Sequence, residues 1–488
     1  MKISKYNIIF DYKEKKFAFN SMTCALALAS DAFLKIIKEI EMDTFNKVPR
    51  TKIHQDLIED MKKGGFIVDD CFDELNFLRF KNLQGKFQTN HFSMSIAPTY
   101  TCNFDCPYCY EKTRVEFMNQ EVMDGICREV KNAARNKNKI DIAWYGGEPL
   151  LAKDTIWSLS EKFMSYVECY GADYSAQIIT NGYLMDADAI ENFLKYKISR
   201  VQVTLDGPAK VHDARRKLKN SSKPTFNVII KNIKKALDAG IGVAIRVNID
   251  KNNEHCTDEL LDILLENELQ KAYVYLGHVK PSTDYCKSIS DTCLSKEDYA
   301  LKFADFEKTL IKKGFNFQYY PNYPMPKSNY CSADSINSKV IAPDGSVYKC
   351  WHDISNPDMC IGNIVNLAGA NSKSIMTQVG YILFNPFVVD KCRKCNVLPL
   401  CMGGCPTISN KVTCQNSKYS LIETLKIKCD VLLGVGACSD NAAEEKRETT
   451  RLCFLVDPVT THDVAVDQAA GCPDYSASCG SPKLWWRL

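Results

Sequence analysis

The sequence predicts an α/β protein whose centre is a parallel sheet curling into a partial (βα)6 barrel. Three observations predict it. From about His91 to Gly277, short apolar runs alternate with longer amphipathic stretches six times over, the pattern of buried strands with covering helices. Each run ends in Gly, Asn, Asp or Pro, as a buried strand does where it meets a functional loop. Right-handed crossovers bend such a sheet toward a TIM-like barrel, and six units fall two short of closing it.

Before this core, KYNIIFDY and KKFAFN read as two strands, followed by helices near Ala25 to Glu41 and His54 to Lys63, and GGFIVDD closes the segment like a wing. Residues 1–85 thus form a small α+β, winged-helix-like domain. In the core, 90–320, the expected strands are FSMSIAP, IDIAWYGG, AQIITNG, RVQVTLDG, GVAIRVN and AYVYLG. Helical patterns such as NQEVMDGICREVKNAARN, TIWSLSEKFMSYVECY, DADAIENFLKYK and FNVIIKNIKKALDAG lie between them. After Gly277 the regularity fades, and the Pro and Tyr of FQYYPNYPMP mark a linker into a cysteine-built segment at 325–430. Residues 431–488 have little amphipathic period, match no metal spacing and are assigned no function.

Composition narrows the function. With 488 residues the chain can bury sizeable cores, and 62 basic against 59 acidic side chains leave a formal charge of only +3. No whole-chain field gathers nucleic acid or acidic lipid. The only apolar run near the N-terminus, Ile8 to Phe10, is broken by charge at once, and no apolar run approaches membrane-spanning length. The expectation is a cytoplasmic protein with neither nucleic acid nor membrane as partner. The outlier is cysteine, 23 residues in all. In a reducing compartment, clustered cysteines bind metal or do chemistry.

The first cluster is Cys102, Cys106 and Cys109 in the run CNFDCPYC, directly after the first core strand. Three thiolates on one loop suit three irons of a cubane and leave the fourth iron open to a ligand. A structural zinc site is the alternative, but it needs a fourth ligand that the loop does not contain. The spacing C-x3-C-x2-C followed by an aromatic residue, Tyr110, resembles the radical S-adenosylmethionine (radical SAM) superfamily. The resemblance continues through Gly146, Gly147, Glu148 and Pro149 after the second strand, TNG at Thr180 to Gly182, TLDG at Thr204 to Gly207, and the basic Arg216. It implies a [4Fe-4S] cluster with an open iron held by the three cysteines. It also implies S-adenosylmethionine held near Tyr108, Gly146, Gly147, Glu148, Asn181, Thr204, Asp206 and Arg216. All these motifs fall at strand ends, where active sites of α/β barrels lie.

A second group runs Cys331, Cys350, Cys392, Cys395, Cys401, Cys405 and Cys414, with Gly345 before Cys350. It resembles the SPASM domain, which carries two auxiliary [4Fe-4S] clusters in enzymes that modify peptides and proteins; paired zinc knuckles are the alternative. The resemblance assigns Cys331, Cys350 and Cys405 to one cluster and Cys392, Cys395, Cys401 and Cys414 to the other. Cys286, Cys293 or Cys360 could complete the first, or its iron could stay open to bind a substrate thiolate.

The resemblance implies an oxidoreductase in which a 5′-deoxyadenosyl radical takes hydrogen from a peptide or protein. The partners expected are that substrate and a low-potential electron donor such as a flavodoxin or ferredoxin. The leading expectation is a maturase forming a thioether or carbon-linked crosslink in a ribosomally made precursor peptide. The N-terminal domain would then either pair a leader strand with its sheet edge or cap the barrel. The second expectation is an anaerobic sulfatase-maturing enzyme, which makes formylglycine. That family places Asp immediately after the cysteine of G-x4-C, whereas this chain has Trp351 there and Asp353 two positions on. A non-catalytic iron–sulfur or zinc scaffold that binds peptides is a third reading, disfavoured by the GGEP run at a strand end.

Overall fold

The computed structural model describes residues 1–47, 49–111, 114–281, 284–315, 323–366, 369, 371–406 and 414–437. The tail expected at 431–488 lies outside them from residue 438 onward, as does most of the expected linker. By internal packing the described chain forms two compact units. The first comprises 1–86, 323–330 and 385–437; the second comprises 87–315 and 331–384.

The first unit opens with β1 (Lys2–Ile3), β2 (Asn7–Tyr12), β3 (Lys15–Asn20) and β4 (Leu26–Leu28). Helices α1 (Asp31–Glu41) and α2 (Lys52–Lys63), strand β5 (Ile67–Val68) and helix α3 (Glu74–Lys86) follow. β2, β3 and β4 form an antiparallel sheet, and β5 pairs with β1. The helix expected from Ala25 begins only at Asp31, because Ser30 accepts the Phe33 N–H as its N-cap and residues 26–28 join the sheet instead. Ala18 and Ala27 face a core of Phe33, Ile36, Leu57, Met61 and Phe66.

The second unit holds the predicted barrel strands. They are β6 (His91–Ile96), β7 (Lys139–Trp144), β8 (Tyr174–Thr180), β9 (Ile198–Thr204), β10 (Gly242–Ile249) and β11 (Tyr273–His278). All six are parallel and adjacent in sequence order. Between them run α4 (Gln120–Arg135), α5 (Lys153–Tyr170), α6 (Ala187–Lys195), α7 (Ala209–Arg215), α8 (Phe226–Asp238) and α9 (Thr257–Glu266), and α10 (Lys296–Lys312) follows β11. Alternation divides the sheet into two faces. Met94, Ile96, Ile142, Trp144, Ile178, Val201, Val203, Ile245 and Val247 join the helices in one large apolar core. The other face carries Ser93, Ser95, Gln202, Thr204, Arg246 and Asn248.

The sheet does not stop at β6. Strand β12 (Ser338–Ile341) pairs parallel to β6, and β13 (Ser346–Tyr348) and β14 (Gly362–Asn363) extend it antiparallel. Helix α11 (Ser372–Ile382) follows. The segment expected at 325–430 is therefore divided, since this ladder binds its first part to the barrel strands. Its second part carries α12 (Asp390–Arg393), α13 (Leu398–Cys401) and α14 (Asn416–Ala437). There Val397, Leu400, Leu421 and Leu425 pack with Phe10, Phe17 and Phe19 in the first unit. No helix among the described residues is long and apolar enough to cross a membrane.

At the N-terminal ends of β6, β7 and β8, the Asp141 carboxylate pairs with His91 and accepts the Ser175 hydroxyl. Burial pushes the Asp141 carboxyl upward, but the His91 and Ser175 hydrogen bonds outweigh it and hold it below the ordinary range. A group with a lowered folded pKa stabilises fully above its unfolded value and loses that contribution as pH falls through the folded one. Asp141→Asn is expected to cost roughly 3 kcal/mol near neutrality by denaturant titration. The gap to the unsubstituted protein should narrow as the pH drops below about 4.

Candidate functional site

The cysteine loop leaves β6 and turns back against the loop that follows β7. Gly147 N–H donates to Thr99 O at 3.2 Å and Glu148 N–H donates to Thr101 O at 2.8 Å. A Cβ on Gly147 would stand 2.4 Å from Thr101 O and 2.6 Å from Tyr100 O. At Gly146, φ is +116° and a Cβ would meet Thr99 O at 2.7 Å. The close approach that demands glycine here is thus made by the cysteine loop's own backbone.

Glu148 has no solvent exposure. Its carboxylate accepts from Leu150 N–H at 3.0 Å, Thr180 Oγ1 at 2.7 Å and Asn181 N–H at 2.8 Å. Burial raises its pKa, and these donors pull the other way. Asn181 in turn donates from Nδ2 to Asn103 Oδ1, inside the cysteine loop, at 2.7 Å. The ends of β6, β7 and β8 are fastened together by polar groups that water cannot replace.

The end of β9 adds Thr204, buried on the polar face, and Asp206, fully buried. Asp206 Oδ2 accepts from Tyr108 Oη at 2.5 Å and from Arg215 Nε at 3.1 Å. Arg215 Nη1 reaches Asp250, beyond the end of β10, at 2.9 Å. Arg216 Nη1 donates to Tyr108 Oη at 2.8 Å. Arg215, Asp250 and Asn253, whose Nδ2 holds the Asp206 carbonyl at 2.6 Å, are absent from the sequence expectation. The run HDARR offered a signal for Arg215, but of its two carboxylate partners only Asp206 is near in sequence, and Asp250 lies 35 residues away.

Cys102, Cys106 and Cys109 lie together and half-buried. Burial pushes the Cys102 thiol up to about 12, with Glu148, Cys106 and Cys109 adding to the rise. Cys109 is also pushed up to about 12, by burial and then Glu111. Burial raises Cys106 too, against the nearby Arg216 guanidinium. Cluster binding here would displace protons from the thiols. Among the described residues no three Cys, His, Asp or Glu side chains are gathered tightly enough to grip a single ion. A cubane is ligated at separate corners, so three thiols spaced along one loop fit it.

In the second unit Cys331 and Cys350 pack in one small cluster with Ala333, Met359 and Tyr381. Cys360 donates to Gly362 O and Cys293 to Ile289 O; the side chain of Cys286 lies outside the described residues. Trp351 stacks on Tyr145, with ring centroids 4.8 Å apart, and its Nε1 donates to Ser95 Oγ at 2.8 Å. Asp353 accepts the Tyr381 hydroxyl, and burial raises its carboxyl to about 6. In the first unit Cys392, Cys395, Cys401 and Cys414 are electrostatic neighbours. Met402, Gly403 and Gly404 all have positive φ and turn the chain sharply after Cys401. Cys405 belongs to this first unit.

Residues 96–264 match the radical SAM superfamily. The chain is 30% identical over 270 residues to the GTP 3′,8-cyclase of Helicobacter pylori (strain HPAG1), covering 53% of this chain and 79% of the cyclase. The chain belongs to the radical SAM superfamily. Its cofactors are accordingly S-adenosylmethionine and an iron–sulfur cluster. Another relative, the cysteine-type anaerobic sulfatase-maturating enzyme of Clostridium novyi (strain NT), is 26% identical over 345 residues, 64% of this chain and 87% of the relative. Two solved structures share the fold. One is anSMEcpe with bound AdoMet and the Cp18Cys peptide, at TM-score 0.53, 22% identity, 71% of this chain and 99% of that one. The other is Streptococcus suis SuiB bound to precursor peptide SuiA, at TM-score 0.50, 16% identity, 83% of this chain and 95% of that one.

Gly147→Ala is expected to displace the cysteine loop. AdoMet affinity of the anaerobically loaded protein, measured by equilibrium dialysis, should fall about tenfold or more.

Proposed function

We propose that this radical SAM enzyme is a peptide maturase that introduces a thioether or carbon-linked crosslink into a precursor peptide. The observation that carries the reading is the pairing of two features: the three-thiol loop beside Gly146–Glu148, and a separate gathering of four thiols packed with an N-terminal sheet. On this reading Cys102, Cys106 and Cys109 hold the cluster with the open iron. Cys392, Cys395, Cys401 and Cys414 hold one auxiliary cluster, and Cys331 and Cys350 contribute to another. When bound, the first cluster and S-adenosylmethionine would supply the radical chemistry that removes a substrate hydrogen, with an electron from a low-potential donor such as a flavodoxin or ferredoxin.

The chain's own residues position and shield. Glu148, Thr180 and Asn181 keep the strand-end loops in one arrangement, as near-attack geometry requires. The Tyr145 ring stacks on Trp351, whose Nε1 donates to Ser95 on the polar face, so two large rings line one side of that face and would help keep a reacting centre there dry. In the first unit, β2 and β4 lie at the two edges of their sheet, and an extended peptide can add to such an edge by main-chain hydrogen bonds. In structural comparison the SuiB likeness extends over 83% of the chain and the anSMEcpe likeness over 71%; the longer coverage, which includes more of the chain outside the barrel, supports the precursor-peptide reading. Trp351, where the sulfatase-maturing family places Asp, supports it as well.

Formylglycine formation is the second reading, favoured by the alignment with 87% of the Clostridium novyi relative. Mass spectrometry with aldehyde capture separates the two: a crosslink removes two hydrogens, conversion of Cys to an aldehyde also exchanges sulfur for oxygen, and conversion of Ser removes two hydrogens but leaves an aldehyde that reacts with a hydrazine. A product of a candidate precursor that lacks sulfur would overturn the first reading.

Anaerobic reconstitution is expected to load roughly three four-iron clusters. Cys102→Ala, Cys106→Ala or Cys109→Ala should abolish 5′-deoxyadenosine formation, and zinc in place of iron in the reconstituted protein would refute both readings.

A further inference from the structure

The cysteine loop has little regular structure of its own; inside it, Cys109 N–H donates to Cys106 O at 3.2 Å. The stretch after α7 lies alongside it. Phe104 and Leu218 form an antiparallel bridge. Asp105 N–H donates to Lys217 O at 2.9 Å, and Lys219 N–H donates to Asn103 O at 2.8 Å. At the start of this stretch Arg216 lies over the Phe104 ring, 5.6 Å from its centroid, and donates to Tyr108 Oη at 2.8 Å. The same hydroxyl donates to Asp206, which Arg215 ties to Asp250. The loop is therefore gripped by backbone on one side and by a buried chain of alternating charge on the other.

We propose that residues 216–219 are a latch that preforms the cysteine loop before a cluster arrives, pinned by the Arg216–Tyr108 hydrogen bond, and that the Arg216 cation raises the reduction potential of the cluster. The proposal rests on the assignment of Cys102, Cys106 and Cys109 as cluster ligands. Preforming the loop lowers the ordering cost of binding. A fixed cation beside a cluster that gains negative charge on reduction favours the reduced state. Arg216 and Tyr108 are positioning residues in this scheme.

Two measurements on the full chain test it: amide hydrogen exchange of residues 103–109 in cluster-free protein, and the EPR-monitored midpoint potential after reconstitution. Tyr108→Phe removes the pin and keeps the cation, so loop exchange should quicken roughly tenfold while the potential moves less than in Arg216→Leu. Arg216→Leu should quicken exchange at least as much and shift the potential to more negative values. Arg216→Lys should restore the potential without restoring protection. Unchanged exchange in Tyr108→Phe and Arg216→Leu would overturn the latch, and equal potentials in the Leu and Lys variants would overturn the charge role. If Arg216→Leu does not fold, exchange in Tyr108→Phe decides the latch. In that case Arg216→Gln, compared with Arg216→Lys, decides the charge role by the same criterion. Failure of the unsubstituted chain to load the cluster would overturn the ligand assignment and the charge role together, while exchange in cluster-free protein still decides the latch.

Discussion

One buried carboxylate holds the working end of the barrel together. Glu148 is inaccessible to water and accepts from Leu150, Thr180 and Asn181, while its own N–H donates to Thr101. A carboxylate removed from water without partners costs several kcal/mol or changes its protonation. Each hydrogen bond to it therefore counts for more than a surface bond would. The loops after β6, β7 and β8 cannot move apart without exposing or abandoning that group. The three-thiol loop takes its place from this arrangement, and glycine at 146 and 147 is what allows the strands' loops to come so close.

The second group of cysteines is placed by different means. Cys350 follows β13, which pairs with β12, which pairs with β6. A hydrogen-bonded ladder thus carries that thiol, together with Trp351 and its bond to Ser95, to a fixed register on the first barrel strand. Cys392, Cys395, Cys401 and Cys414 depend instead on short helices packed against the phenylalanines of β2 and β3. A stretch that looks uniform in composition is built into two hydrophobic cores.

The parts of the fold that were legible in the sequence are those with a strong period. Strands such as Lys139–Trp144 and helices such as Gln120–Arg135 bury nearly unbroken apolar faces, and turn residues bound them. Helix α3 escaped because the residues it buries, Glu74, Leu78, Asn82 and Lys86, are mostly polar. Glu74 is satisfied by Ser4 and Lys5, and Asn82 by Ser328, partners that no local pattern reveals. Strands β4 and β12 to β14 are too short for periodicity to register. At the strand ends, the motif residues stand out in the sequence by type and spacing. Their partners do not, because Arg215 finds Asp250, and Asn103 finds Asn181, only after the sheet has formed.

The two faces of the sheet carry different physical constraints. Replacing Ile142 or Val203 on the helix side disturbs a packed interior and is felt as lost stability. Exchanging Ser93 on the opposite face leaves that interior untouched, and Gln202 and Asn248 there can change together with their partners Tyr275 and Arg246. Such a scaffold can accumulate changes in what it accommodates while its folding stays constant. Lineages sharing the same strand-end loops can therefore drift toward dissimilar reactants without rebuilding the framework that initiates the chemistry.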